Sequence, residues 1–188
     1  MLFPGESEQD VLEYCFREIV RNVFEHSEAD DCTLMAQRYG QHQVEIAIAD
    51  AGVGVHATLG TSLGVADPAH SVRAALEPGI TRVTGQQEGT PWDNTGFGLY
   101  VVSQLGIAAG SFTITSSGVC IAKSEYTDHL RVTSMHGTAI RLLVDVENAE
   151  YFANQLEQIV SRGEQLASSD VRSRRPASLS TRRRESEW

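Results

Sequence analysis

Apolar residues recur at Val11, Leu12, Cys15, Phe16, Ile19, Val20, Val23 and Phe24, the three-and-four spacing of one helix face. Ser7 with Asp10 three residues on resembles a capping box, so the pattern predicts an amphipathic helix over about 8–26. The period then changes to two. Residues 32–38 and 43–49 alternate around Gly40, with Val44, Ile46 and Ile48 on one face, which predicts a β-hairpin ending at Asp50. From 55 to 95 periodicity lapses into Gly, Thr, Pro and Asp, apart from one short helical run near 70–77 ended by Pro78-Gly79. A loop of this length inside a compact domain is usually functional, and lids are its commonest use. A helix over 97–109 follows, opened by Gly96 and Gly98 and closed by Gly110. Strands are expected at 111–117, 119–126 and 138–146, the last two separated by a polar loop at 127–136. A final helix at about 148–166 precedes the tail.

This order (helix, hairpin, lid, helix, three strands, helix) predicts a two-layer α/β sandwich, a mixed sheet covered on one face by helices. At 188 residues and 41% hydrophobic, the chain can bury one substantial core, so a single domain over 1–166 is expected, with a basic tail at 167–188. The net charge of −10 is uneven: in residues 168–188 six arginines face Asp170, Glu185 and Glu187, leaving that end +3 and the rest −13. An acidic body argues against a general nucleic-acid surface, and the Ser- and Arg-rich tail reads as solvated and disordered. Cys15, Cys32 and Cys120 form no CxxC pair, suggest neither a disulfide framework nor a zinc site, and suit a reducing cytoplasm. The acidic start MLFPGESEQD and the lack of any run of roughly 18 apolar residues predict a cytoplasmic protein that is neither exported nor membrane-spanning.

Four segments carry candidate chemistry. Glu18 and Asn22 lie one helical turn apart, so carboxylate and amide point into the same space, hard oxygen donors of the kind Mg²⁺ takes while keeping waters and phosphate oxygens. From that pair alone a solvated helix edge is the better reading. Asp50, at the end of an apolar strand before Gly52 and Gly54, is costly to bury unless it meets a donor such as the exocyclic amine of adenine. An Asp capping its own turn is as good a local explanation. Gly96 and Gly98 open a helix whose first amides could cradle phosphate, though the pattern is neither a Rossmann fingerprint nor a P-loop. Thr138, after Gly137, starts an apolar strand where its hydroxyl could bond a ring nitrogen or its bridging water.

In order and approximate spacing these segments resemble the GHKL superfamily, the gyrase, Hsp90, histidine kinase and MutL ATPases and kinases with the Bergerat ATP-binding fold. The resemblance covers about residues 18–142. It implies that REIVRNVFEH is the N box, with Asn22 holding Mg²⁺ and Glu18 as general base, and that DAGVG is the G1 box, with Asp50 reading adenine. It further implies an ATP lid over 55–95, a phosphate-wrapping G2 box in NTGFGL, and a closing box in HGTAI with Thr138 near adenine. Two departures stand out. Glu25 occupies a position where histidine kinases often carry a base, leaving Arg21, Arg73 or Arg82 to neutralise phosphate. Only about ten residues precede the N-box helix where the family normally has a strand, so either the fold is shortened or the chain begins inside a longer protein.

None of His26, His42, His56, His70, His129 and His136 is followed by Asp or Glu, and all fall within the ATP-binding module, so self-phosphorylation on a resident histidine is not expected. Stand-alone members of the superfamily resemble anti-sigma-factor serine kinases. The resemblance therefore implies a Mg·ATP-binding signalling module that phosphorylates or regulates a partner protein. An anti-sigma-like serine kinase, an ATP-dependent switch without turnover and the detached catalytic domain of a sensor histidine kinase are its alternatives. Whether the chain forms a homodimer stays open at this level.

Overall fold

The computed structural model describes residues 8–80, 96–145 and 149–169. The capping-box Ser7, the lid residues 81–95 and the basic tail from 170 onward lie outside the described residues, and so does any test of their expected roles.

Helix α1 spans Glu8–His26 and the hairpin comprises β1 (Cys32–Tyr39) and β2 (Gln43–Asp50), as the two periodicities require. A π-helical turn at His56–Gly60 leads into α2 (Thr61–Leu63) and α3 (Pro68–Ala74), which Asp67 caps by accepting from the Ala69 amide at 3.0 Å. Then come α4 (Gly98–Ala109), β3 (Gly110–Ser116), β4 (Val119–Ser124), β5 (Thr127–Val132), β6 (Thr138–Asp145) and α5 (Ala149–Ser169). Two expectations are corrected here. The first part of the expected lid loop is packed helix, with Thr58, Leu59, Ser71 and Val72 buried. The expected polar loop at 127–136 contains β5, an edge strand whose six residues are all exposed. With no buried face, β5 shows none of the alternation by which strands are recognised.

The six strands form one sheet in the order β1-β2-β6-β3-β4-β5. Each of its five pairings is antiparallel, where a mixed sheet was expected. Strands β2 and β3 do run in the same direction, as strands joined through helices usually do, but β6 inserts between them and pairs antiparallel with both. The α/β sandwich itself is as expected. Ile46, Ile48, Phe112, Ile114, Ile121, Ile140, Leu142 and Val144 line one sheet face and pack with Val11, Ile19, Val101, Val102 and Leu105 from the helices. The alternate strand positions, such as Ala47, Ala49, Thr113 and Arg141, are only half-buried. Phe24, counted in the α1 stripe by its spacing, is instead 79% exposed, while Val23 and Ser27 on either side of it are buried. Among the described residues no helix is long and apolar enough to cross a membrane.

Candidate functional site

Helical spacing turns Glu18 inward with Cys15 and Ile19, and its side chain is 1% exposed. It meets the first residue of α4: a Cβ on Gly98 would overlap the Glu18 carboxylate. The close approach that requires a glycine is thus internal to the protein. Glu18 Oε1 is 3.6 Å from Arg21 Nη1 and 3.8 Å from Arg17 Nε, ion-pair rather than hydrogen-bond distances. Burial pushes the Glu18 carboxyl above the ordinary glutamate value, while Arg21 and then Arg17 pull the other way without cancelling it. Cys15, almost one turn earlier, is fully buried, and burial with the Glu18 charge pushes its thiol up to about 12, so it is no nucleophile.

Asn22 Nδ2 donates to the Glu18 backbone carbonyl at 2.7 Å, which fixes the amide and leaves Oδ1 as its acceptor. Among the described residues no three His, Cys, Asp or Glu side chains gather as a metal site, so a cation here would depend on Asn22 with ligands from outside the chain.

Asp50 is buried at the end of β2, beside its cross-strand partner Thr138. Its Oδ1 accepts from the Gly52 amide at 2.8 Å and from the Thr138 amide at 3.3 Å, so Asp50 does cap its own turn. No hydrogen bond engages Oδ2 among the described residues. Gly52 packs on the end of α1, where the Val53 amide donates to the Ser27 carbonyl at 2.8 Å. Gly54 has φ +76° and faces the β3–β4 turn, as a glycine readily does. Two serines complete this corner. Ser116 Oγ accepts from the Val55 amide at 2.9 Å and lies 3.0 Å from Thr138 Oγ1, while Ser117 Oγ accepts from the His56 amide at 3.0 Å. Sequence reasoning missed both, because Ser-Ser-Gly between two strands reads as an ordinary turn.

Six of the eight residues singled out from sequence, namely Glu18, Asn22, Gly54, Gly96, Gly98 and Thr138, line one cavity between α1, α4, the inner sheet face and the 54–59 turn. Asp50 and Gly52 are not among its lining residues, but Asp50 adjoins it through Thr138, whose amide donates to Asp50 Oδ1. Of the three arginines considered for phosphate, Arg21 lines the cavity, Arg73 pairs with Asp128 at 3.4 Å at a separate groove, and Arg82 lies outside the described residues. His26 and Ser27, not chosen from sequence, also reach the cavity. Apolar walls are supplied by Ile48, Ile114, Ile140 and Leu59, so the cavity pairs a flat apolar floor with a polar rim at the ends of α1 and α4.

No family model matches the chain, and no curated protein matches it. Among solved structures, one titled "Crystal Structure of N terminal domain of a DNA repair protein" is similar at a TM-score of 0.40 and 12% identity, over 81% of this chain. The chain spans 42% of the length of that structure's chain. A likeness of this size carries no argument about function.

Proposed function

We propose that this chain is a Mg·ATP-binding domain of the GHKL type that phosphorylates or regulates a partner protein. The observation that carries the proposal is the convergence of four sequence segments, far apart in the chain, on one cavity through Glu18, Asn22, Gly54, Gly98 and Thr138. Apolar walls over a strand-formed floor suit a purine ring, and the rim at Asn22, Arg21 and the start of α4 suits phosphates.

In this reading the adenine ring lies against Ile48 and Ile140, with Thr138 Oγ1 at its edge and Asp50 Oδ2 accepting from the exocyclic amine. The donor set at the rim fits Mg²⁺: Asn22 Oδ1 is a neutral hard oxygen whose amide is already anchored, and Mg²⁺ accepts one such protein ligand with waters and phosphate oxygens. The ion, when bound, neutralises charge on the phosphates. Arg21 supplies the positive charge that Glu25 does not. Glu18 takes the proton from the attacking hydroxyl or water as its oxygen bonds to the γ-phosphorus and the bond to the β-phosphate oxygen breaks, leaving ADP. Burial raises its proton affinity, which favours its accepting that proton.

Substituting Asp50→Asn tests the adenine assignment without removing the turn cap, because the amide oxygen replaces Oδ1 and an NH₂ donor replaces Oδ2. ATP affinity is expected to fall by about 1–3 kcal/mol, roughly 5- to 150-fold, while GTP affinity rises, since the new NH₂ donates to the guanine O6, and the melting temperature stays nearly unchanged. Calorimetric titration of both nucleotides reads this directly. Unaltered ATP affinity would leave Asp50 with the structural role alone.

A further inference from the structure

The two edges of the sheet are built differently. Strand β5 carries Asp128, His129 and Arg131, and Asp128 is tied to Lys123 at 3.1 Å and to Arg73 at 3.4 Å. Charges of this kind keep an edge from pairing with another chain. Strand β1 is less protected, with Arg38 near its end as its one charged residue. It is eight residues long, CTLMAQRY, without proline, lysine or acid, and seven of the eight are exposed. Leu34 is 45%, Met35 55% and Tyr39 43% exposed, and they lie on both faces of the strand. Its outer backbone donors and acceptors face away from β2, its neighbour in the sheet order.

We infer that β1 is a self-association edge, at which the β1 of a second copy pairs antiparallel about a twofold axis through Met35 and continues the sheet across both molecules. This inference is independent of the nucleotide reading. An axis normal to the sheet sets residues of the same face opposite one another. Leu34 and Ala36 share the helix-side face, because they pair with Ile48 and Ile46 of β2. Centring on Met35 therefore places Leu34 against Ala36 of the second copy, Thr33 against Gln37 and Met35 against itself. The same register carries Arg38 toward the segment that precedes Cys32 of the second copy, where Asp30 sits in a bend just outside the strand. Arg38 is bonded only to the Gln41 carbonyl, and Asp30 has no ion pair among the described residues. The twofold axis brings these opposite charges near each other twice, so the edge is complementary to itself in polarity and charge.

Sedimentation of the full chain over micromolar to millimolar concentrations tests the inference. Wild type is expected to reach the mass of a dimer, and Met35→Lys to raise the dissociation constant at least tenfold with an unchanged melting temperature. Met35→Cys, in a background with Cys32→Ser and Cys120→Ser, should cross-link to itself on oxidation. Directly opposed Cα atoms in an antiparallel pair lie about 4.5–5.5 Å apart, within disulfide span. Tyr126→Cys in the same background, exposed near the other edge, serves as control. A wild type that stays monomeric throughout would overturn the inference. So would a dimer that Met35→Lys leaves intact, or cross-linking at position 35 no faster than at position 126. Nucleotide binding by a strictly monomeric protein would overturn the dimer while sparing the proposed function.

Discussion

Replacing Glu18 by glutamine is expected to lower ATP turnover roughly 10²- to 10⁴-fold while leaving ATP affinity within a few-fold, the pattern of a lost general base. The same variant carries a second expectation that does not depend on nucleotide. Burial holds the native Glu18 carboxyl above its ordinary value, so between the unfolded and native pKa values the folded state binds more protons than the unfolded state. Wild-type stability therefore falls as pH rises through that window and is level above it, as far as this residue is concerned. Glutamine does not titrate. The variant's melting temperature should gain on wild type as pH rises through the window and hold a constant advantage beyond it. Melting curves from pH 4 to 9 read this. A variant whose margin against wild type is the same at every pH would mean that the Arg21 and Arg17 pairs cancel the burial of Glu18, and one that loses ground as pH rises would mean that they outweigh it. Undiminished turnover would remove Glu18 from the chemistry, and absence of turnover in wild type with its partner would leave an ATP-dependent switch.

Gly137→Ala is expected to be strongly destabilising. A Cβ there would overlap the Asp50 carbonyl oxygen and lie 2.9 Å from Ala51 Cα. Both obstacles are backbone, and the start of β6 cannot retreat without breaking the pairing of Thr138 with Asp50. Overpacking that moves side chains costs about 1–3 kcal/mol, and a backbone collision stands at or above the upper end. A loss of about 3 kcal/mol corresponds to a fall in melting temperature on the order of 10 °C for a domain of this size. Because the same shift displaces Thr138 from the cavity wall, binding at the cavity should weaken with stability. A variant melting within about 2 °C of wild type would show that the corner between β2 and β6 is looser than its packing indicates.

The parts of the fold legible in the sequence are those whose burial repeats along the chain. Helix α1 buries every third-to-fourth residue and β2 roughly every second, and their limits follow from that, while β1, almost wholly exposed, is placed by its pairing with β2 across the Gly40 turn. Strand β5 was hidden because all its residues are exposed, and the 56–63 helical segment because its burial depends on α3 and the Ser116–Ser117 turn, which no local pattern records. The insertion of β6 between β2 and β3 is likewise a matter of long-range pairing. For the site, helical spacing was enough to pair Glu18 with Asn22, and the strand-end position was enough to mark Asp50 as buried. What spacing left open was the reason for the glycines. Gly98 makes room for Glu18, and Gly52 for the end of α1, so each is accounted for by contacts within the protein.

The central claim, that the cavity between α1, α4 and the sheet takes Mg·ATP, is tested most directly by the melting temperature of the full chain against nucleotide concentration. A saturable rise is expected with Mg·ATP and Mg·ADP, amounting to about 2.7 kcal/mol at 100 times the dissociation constant, and a much smaller one with GTP. No shift with ATP, ADP or a non-hydrolysable analogue at millimolar concentration would contradict it.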